Sequence, residues 1–234
     1  MSEIAENWQK LRARIARAEQ AADRMPGSVH LLAVSKTQPA AAVRAAHACG
    51  QRAFGENYVQ EGVAKIVALA DLALLDPGME WHFIGPLQSN KTREVAENFD
   101  WVHSLEREKI ARRLAAQRPA GLPPLQVCIQ VNIDDEAGKS GCQPVELPAL
   151  VRVVLALPQL QLRGLMCIPR PGHSAAFSDL AKTRQDLLVS IPGLSAAGFD
   201  TLSMGMSEDM EAAVAAGSSM VRIGTALFGS RLNA

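Results

Sequence analysis

Lys36 ends the run Leu31-Leu32-Ala33-Val34-Ser35-Lys36 and is its single amine-bearing side chain. Four apolar residues and a serine, with Pro39 just beyond, read as a short buried parallel strand rather than a helix. A lysine at the carboxyl end of such a strand sits where barrels and doubly wound sheets keep their ligands. Held against apolar strand ends, its ammonium form is disfavoured, and the freed amine is able to attack an aldehyde and form a Schiff base. A solvated lysine in a strand-to-helix turn is the competing reading of the same position.

Two further segments carry chemistry of a matching kind. Ser203-Met204-Gly205-Met206-Ser207 and Arg222-Ile223-Gly224-Thr225 each stand at the end of a short expected strand. Small and hydroxyl residues at the last two strand ends of a barrel commonly form a phosphate site from backbone amides. Ser207 before Glu208-Asp209 also reads as a helix start, so plain turn chemistry and N-capping explain part of the pattern. Asn57, at the end of another short strand, has Gln60 three residues on and reads as nearly a capping box, while its strand-end position keeps it a candidate ligand residue.

Other signals are weaker. Gly138-Lys139-Ser140 matches the last residues of a P-loop, but Ile133 stands where that motif needs glycine, and Asp134-Asp135-Glu136 would repel phosphates; Lys139 reads as a surface or loop-pairing residue. Histidines 30, 47, 82, 103 and 173 have no ligand spacing with one another or with cysteine, so no metal site is expected. His82 lies inside a strand and reads as a satisfied core histidine, with a pocket-lining role as the alternative.

The elements that must position these residues alternate along the chain. Ser2–Met25 is an amphipathic helix stopped by Pro26-Gly27. Strands are expected at Leu31–Ser35, Ala53–Glu56, Glu80–Ile84, Trp101–Leu105, Leu125–Asn132, Leu162–Ile168, Thr201–Met204 and Met220–Gly224. Between them, helices are expected at Ala40–Cys49, Asn57–Leu75 closed by Asp76-Pro77-Gly78, Ser89–Asn98, Glu106–Gln117, Pro144–Leu157, Ala175–Ser190 and Glu208–Ala216. Eight strands alternating with helices indicate parallel crossovers and a (β/α)8 TIM barrel with an additional N-terminal helix; a doubly wound open sheet is the structural alternative. No linker or charge run divides the chain, so residues 1–234 read as one domain.

Composition excludes several function classes. The formal net charge is zero and there is no block of like charge, which argues against a nucleic-acid footprint or an anionic membrane surface. No apolar stretch approaches the roughly 20 residues of a membrane span, and the charged N-terminus is not a secretory signal. Cys49, Cys128, Cys142 and Cys167 are far apart without redox or zinc spacing, which fits a reducing compartment. A cytoplasmic protein is the expectation.

Together these residues resemble the pyridoxal phosphate homeostasis proteins, and are similar to the barrel domain of bacterial alanine racemases. The likeness runs through Ala33-Val34-Ser35-Lys36, Phe54-Gly55-Glu56-Asn57-Tyr58 and, most specifically, Trp81-His82-Phe83-Ile84-Gly85-Pro86-Leu87-Gln88-Ser89-Asn90-Lys91. It continues through Asn132 to Gly141 with Glu136 and Lys139, Leu165-Met166, Ser203 to Ser207 and Val221 to Thr225. The resemblance implies pyridoxal 5′-phosphate as cofactor, Lys36 as its Schiff-base lysine, Ser203, Gly224 and Thr225 at the phosphate, Arg222 at the pyridine nitrogen, and Asn57 and Met204 among the cofactor-binding residues. Guanidinium does not give up its proton, so Arg222 would leave that nitrogen unprotonated and the ring a poorer electron sink.

Three functions compete. The first is a carrier that holds pyridoxal phosphate and hands it to apo-enzymes, without established turnover, as a monomer. The second is a pyridoxal-phosphate-dependent amino-acid racemase, which needs acid/base groups on both substrate faces; the chain offers a single tyrosine, Tyr58. The third is a Schiff-base aldolase on a phosphorylated sugar, using the same lysine and phosphate loops without a cofactor.

Overall fold

The computed structural model describes residues 2–76, 78–136 and 138–229; Pro77, expected to help close a helix, lies outside them. Eight parallel strands close into one barrel in sequence order. They are β1 (His30–Val34), β2 (Ala53–Glu56), β3 (Glu80–Phe83), β4 (Trp101–Leu105), β5 (Leu125–Gln130), β6 (Leu160–Met166), β7 (Thr201–Ser203) and β8 (Met220–Ile223). The ring is closed by β1 against β8, with Leu32 opposite Arg222 and Ala33 opposite Ile223. The expected (β/α)8 barrel is therefore present, as is its N-terminal helix.

That helix, α1 (Glu3–Ala21), is capped by Ser2, whose side chain accepts from the Ala5 amide, and buries Leu11, Ile15 and Ala18. It packs against α2 (Ala40–Ala48) and, from the far end of the chain, α9 (Met210–Ala215) and α10 (Thr225–Phe228). Glu19 turns inward and accepts from the amides of Gly27 and Val29, which fixes the entry into β1.

Side chains alternate across each strand, so one set fills the barrel and the other meets the helices. Val102, Val127, Ile129 and Leu165 belong to the large core under the helices. Their strand neighbours Trp101, Cys128 and Met166 form a separate small cluster inside the barrel. Polar residues share that interior: His82, His103, Ser203 and Arg222 are all buried.

Four expectations are corrected. The helix expected over Asn57–Leu75 is two helices, α3 (Val59–Ala68) and α4 (Ala70–Leu75), because Leu69 leaves the helical region at φ −117° and ψ 18°. The bend buries Leu69 and Leu72. Asn57 does not cap α3; Tyr58 holds that position without a side-chain cap bond, because Asn57 is still running alongside Gly85, whose added Cβ would lie 2.1 Å from the Asn57 carbonyl oxygen. The segment Ser89–Asn98 opens with a 3-10 turn at Ser89–Lys91 before α5 (Thr92–Asn98). Ser207 is not a helix start: Asp209 is the N-cap of α9, and its carboxylate accepts from the Met206 amide at 2.6 Å. The short α10 was not expected from sequence. The other helices, α6 (Glu108–Gln117), α7 (Leu147–Leu155) and α8 (Ala175–Ser190), match within three residues.

Candidate functional site

The closure of β1 on β8 decides what stands beside Lys36. Because Ala33 pairs with Ile223, the residues just past each strand end are neighbours, and a Cβ added to Gly224 would sit 3.1 Å from the Val34 carbonyl oxygen. Lys36 and Gly224-Thr225 thus share one rim of the barrel mouth. Thr225 is exposed there and Gly224 half-buried. The first amides of a helix have no intrahelical partner, so the start of α10 turns unpaired N–H groups toward the rim.

The backbone around Lys36 is held tightly. Thr37 adopts φ 62°, the left-handed region that a β-branched residue rarely enters. Its amide donates to Glu61 Oε1 at 2.5 Å and its hydroxyl to the Lys36 carbonyl at 2.6 Å. Beneath it, Lys65 Nζ donates to the Ser35 carbonyl at 2.6 Å, to Glu56 Oε1 at 2.8 Å and to Glu61 Oε1 at 2.6 Å. Ser35 Oγ donates to the same Glu56 oxygen at 2.6 Å. Burial pushes the Glu56 carboxyl above its ordinary range, against the pull of Lys65 and Ser35. Lys65 is fully engaged in this network, whereas Lys36 Nζ makes no hydrogen bond or ion pair among the described residues.

On the adjacent strand β8, Arg222 is buried with its guanidinium anchored. Nη1 donates to the Ser203 carbonyl at 2.5 Å and to Ser203 Oγ at 2.9 Å, and Nη2 to the Cys167 carbonyl at 2.9 Å. Burial lowers its pKa, without removing the charge of a guanidinium. Three of its five N–H groups are used in this way. Ser203 Oγ also meets His103 Nδ1 at 2.8 Å, and His103 Nε2 meets His82 Nδ1 at 2.9 Å. Burial holds His103 well below the ordinary histidine range, so it is neutral.

The remaining expected residues divide. Asn57 Oδ1 is buried and has no hydrogen-bond partner, an orphan acceptor at a strand end. Met204 is less free: its side chain is in the core, its amide donates to the Met220 carbonyl at 3.1 Å, and its carbonyl accepts from Ser218 at 2.7 Å. Lys139 pairs with Glu136 at 2.9 Å and Asp134 at 3.4 Å, away from Lys36, as a loop-pairing residue. His82 is buried inside the barrel, but only partly satisfied: Nδ1 meets His103 while Nε2 makes no hydrogen bond, with Glu80 Oε2 3.4 Å away. Neither the Lys65–Glu56 pair nor the role of His103 is marked by any motif; strand alternation placing His82 and His103 on the inner face was the available signal.

A cavity of about 740 Å³ lies elsewhere, at the amino ends of the strands, where it is lined by Trp8, Arg12, Arg52, Glu80 and Arg163. Of the arginines lining it, Arg163 is bidentate to Asp200, at 2.7 Å for the shorter contact, and lies over the Trp101 ring, and Arg52 pairs with Asp76. That face of a barrel serves stability rather than chemistry.

The comparisons with known proteins fit this geometry. The family profile described as "Alanine racemase, N-terminal domain" matches residues 2–232. A pyridoxal phosphate homeostasis protein of Pseudomonas aeruginosa is 60% identical, over 99% of this chain and 97% of its own. One from Escherichia coli is 55% identical, over 99% and 98%. Among solved structures, PipY of Synechococcus elongatus with pyridoxal phosphate bound is 39% identical with a TM-score of 0.82, covering 97% of this chain and all of that one (100%). An alanine racemase of Bartonella henselae shares the fold at 14% identity and a TM-score of 0.67, over 99% of this chain and 61% of its own.

Proposed function

The chain belongs to the alanine racemase N-terminal domain family, among its pyridoxal phosphate homeostasis proteins, and on that premise we propose that it binds pyridoxal 5′-phosphate through a Schiff-base linkage to Lys36 and serves as a carrier of the cofactor. The observation that carries this reading is the seam between β1 and β8, which sets a lysine with no competing partner beside the Gly224-Thr225 amides. Ser203, Gly224 and Thr225 hold the phosphate. Arg222, immobilised on Ser203 and Cys167, has N–H groups left for the ring nitrogen. Asn57 offers its orphan oxygen to the ligand, and Met204 supports the loop from below. When bound, the cofactor supplies an aldehyde for the lysine and an electron-withdrawing ring.

The residues favour holding over turnover. Racemisation needs a positioned acid on the face opposite Lys36, and such a group typically contributes about 10²–10⁴-fold. Tyr58, the single tyrosine, is 58% exposed at the start of α3. The imidazoles of His82 and His103 are committed to each other and to Ser203. A donor that keeps its proton at the ring nitrogen also weakens the ring as an electron sink. The closed sheet leaves no edge strand to pair with a second copy, which supports action as a monomer. Apo-enzymes that need pyridoxal phosphate are the partners, in the cytoplasm. Among the described residues, no helix is long and apolar enough to cross a membrane.

The test is the purified protein's visible spectrum with pyridoxal phosphate, followed by incubation with L-alanine and chiral chromatography. A yellow protein without racemisation is expected. Racemisation at an ordinary enzymatic rate of about 1–10³ s⁻¹, lost on Lys36→Ala, would make it a racemase instead. A colourless protein that cleaves a phosphorylated sugar would favour the aldolase.

A further inference from the structure

Ser35–Gln38 is a four-residue turn, closed by the Gln38 amide, which donates to the Ser35 carbonyl at 3.0 Å. Lys36 and Thr37 are its central residues. Lys36 has a negative φ and Thr37 a φ of 62°. That is the pattern of a type II turn, which demands a positive φ at the second central position and normally takes glycine or asparagine there. Threonine is a poor occupant, because a β-branched residue is disfavoured in the left-handed region. With a negative φ at Thr37 the same four residues would make a type I turn, the commonest kind, which most residues accept. The two forms differ by a rotation of the peptide between Lys36 and Thr37, with ψ of Lys36 going from about 120° to about −30°.

Glu61 decides between them. Its Oε1 accepts from the Thr37 amide at 2.5 Å. Rotating that peptide would turn the N–H away and bring the Lys36 carbonyl oxygen toward the carboxylate, setting two acceptors against each other. Lys65, one helical turn further along α3, donates to Glu61 Oε1 at 2.6 Å and to the Ser35 carbonyl at 2.6 Å. The carboxylate and the first residue of the turn therefore share one anchor. The rotamers open to a side chain depend on its own φ and ψ, so the form of the turn sets where the Lys36 amine can reach.

We propose that Glu61 is a positioning residue for Lys36, holding the Ser35–Gln38 turn in the form that threonine disfavours and so aiming the amine at the cofactor's aldehyde. The inference rests on Lys36 being the Schiff-base lysine. In that step the amine nitrogen bonds the aldehyde carbon, and the carbonyl oxygen leaves as water. Without Glu61 only a fraction of the molecules hold the turn in its competent form, and apparent affinity for the aldehyde falls by that fraction. Non-covalent contacts of the ligand with the barrel mouth are untouched.

The experiment measures dissociation constants of pyridoxal phosphate and of pyridoxine 5′-phosphate, in which an alcohol replaces the aldehyde and no Schiff base can form. The ratio of the two affinities reports the covalent step. Glu61→Ala should lower that ratio by about fivefold to thirtyfold, the penalty of a non-glycine residue in the left-handed region, with pyridoxine phosphate binding unchanged. Glu61→Met, which also lacks the acceptor, should do the same and stands in if the alanine variant does not fold. Thr37→Gly alone should keep the ratio, and Glu61→Ala/Thr37→Gly should restore most of it, because glycine enters the left-handed region freely. An unchanged ratio in the Glu61 variants, with Lys36→Ala abolishing the preference for the aldehyde, overturns the positioning role alone. Equal weakening of both ligands, or no restoration by Thr37→Gly, overturns it too, since Glu61 would then act on the fold and not through the turn. A preference for the aldehyde that survives Lys36→Ala overturns the Schiff-base assignment, and the inference with it.

Discussion

Lys65 Nζ lies 2.8 Å from Glu56 Oε1, and both side chains are buried beneath the ends of β1 and β2. This pair is what the strand end carrying Lys36 rests on, since Lys65 also binds the Ser35 carbonyl. Removing one partner of a buried ion pair leaves the other uncompensated and costs about 3–5 kcal/mol. Lys65→Met should therefore lower stability by about that amount in urea unfolding at neutral pH. The sign with pH follows from Glu56, whose folded pKa is raised by burial. A raised carboxyl pKa penalises the fold above the unfolded value, so the deficit should shrink as pH falls toward the ordinary carboxylate range. A deficit that grows on acidification would mean that Glu56 is stabilised as the anion.

Thr225 is exposed at the mouth beside Gly224. Thr225→Glu would place a carboxylate against the proposed phosphate position. Pyridoxal phosphate should then bind at least tenfold more weakly, on the scale of one charge-assisted hydrogen bond, while pyridoxal changes little. Equal weakening of both ligands, measured by absorbance titration, would put the phosphate elsewhere.

Gly85 follows β3 with its Cα hydrogens against the Asn57 backbone. An added Cβ would fall 2.1 Å from the Asn57 carbonyl oxygen, so the two segments must separate. Gly85→Ala should displace Asn57, cost about 1–3 kcal/mol as overpacking does, and weaken both ligands together. Unchanged affinity for both would remove Asn57 from the site.

Strand ends and their small residues were readable because a strand is short, apolar and stopped by recognisable residues. Lys36 before Pro39 and Gly224-Thr225 after Met220–Ile223 are examples. Which ends become neighbours was readable only through the fold class, since the β1–β8 pairing joins opposite ends of the sequence. The division of Asn57–Leu75 was hidden because Leu69 and Leu72 continue a helical apolar pattern while the backbone bends to bury them. His103 was hidden for a different reason. In Trp101-Val102-His103 the alternation says which residues share a face, but not that the inner face is closed over by a hydrogen-bonded chain ending on Ser203.

The cysteines give an independent probe of integrity. Burial pushes the thiols of Cys128, Cys142 and Cys167 up to about 12, leaving them protonated and unreactive at pH values well below that. Cys49 is the half-buried exception. Iodoacetamide near neutral pH should label Cys49 alone in the folded chain and all four cysteines in urea. Labelling of Cys128 or Cys167 without denaturant would show that the barrel opens.

The central claim is that Lys36 is the amine that holds the cofactor, and borohydride reduction of the pyridoxal-phosphate-loaded protein followed by peptide mapping tests it most directly. The account predicts one reduced pyridoxyl adduct, on the peptide carrying Lys36, absent in Lys36→Ala. An adduct found mainly on Lys65, Lys91 or Lys139 would contradict it.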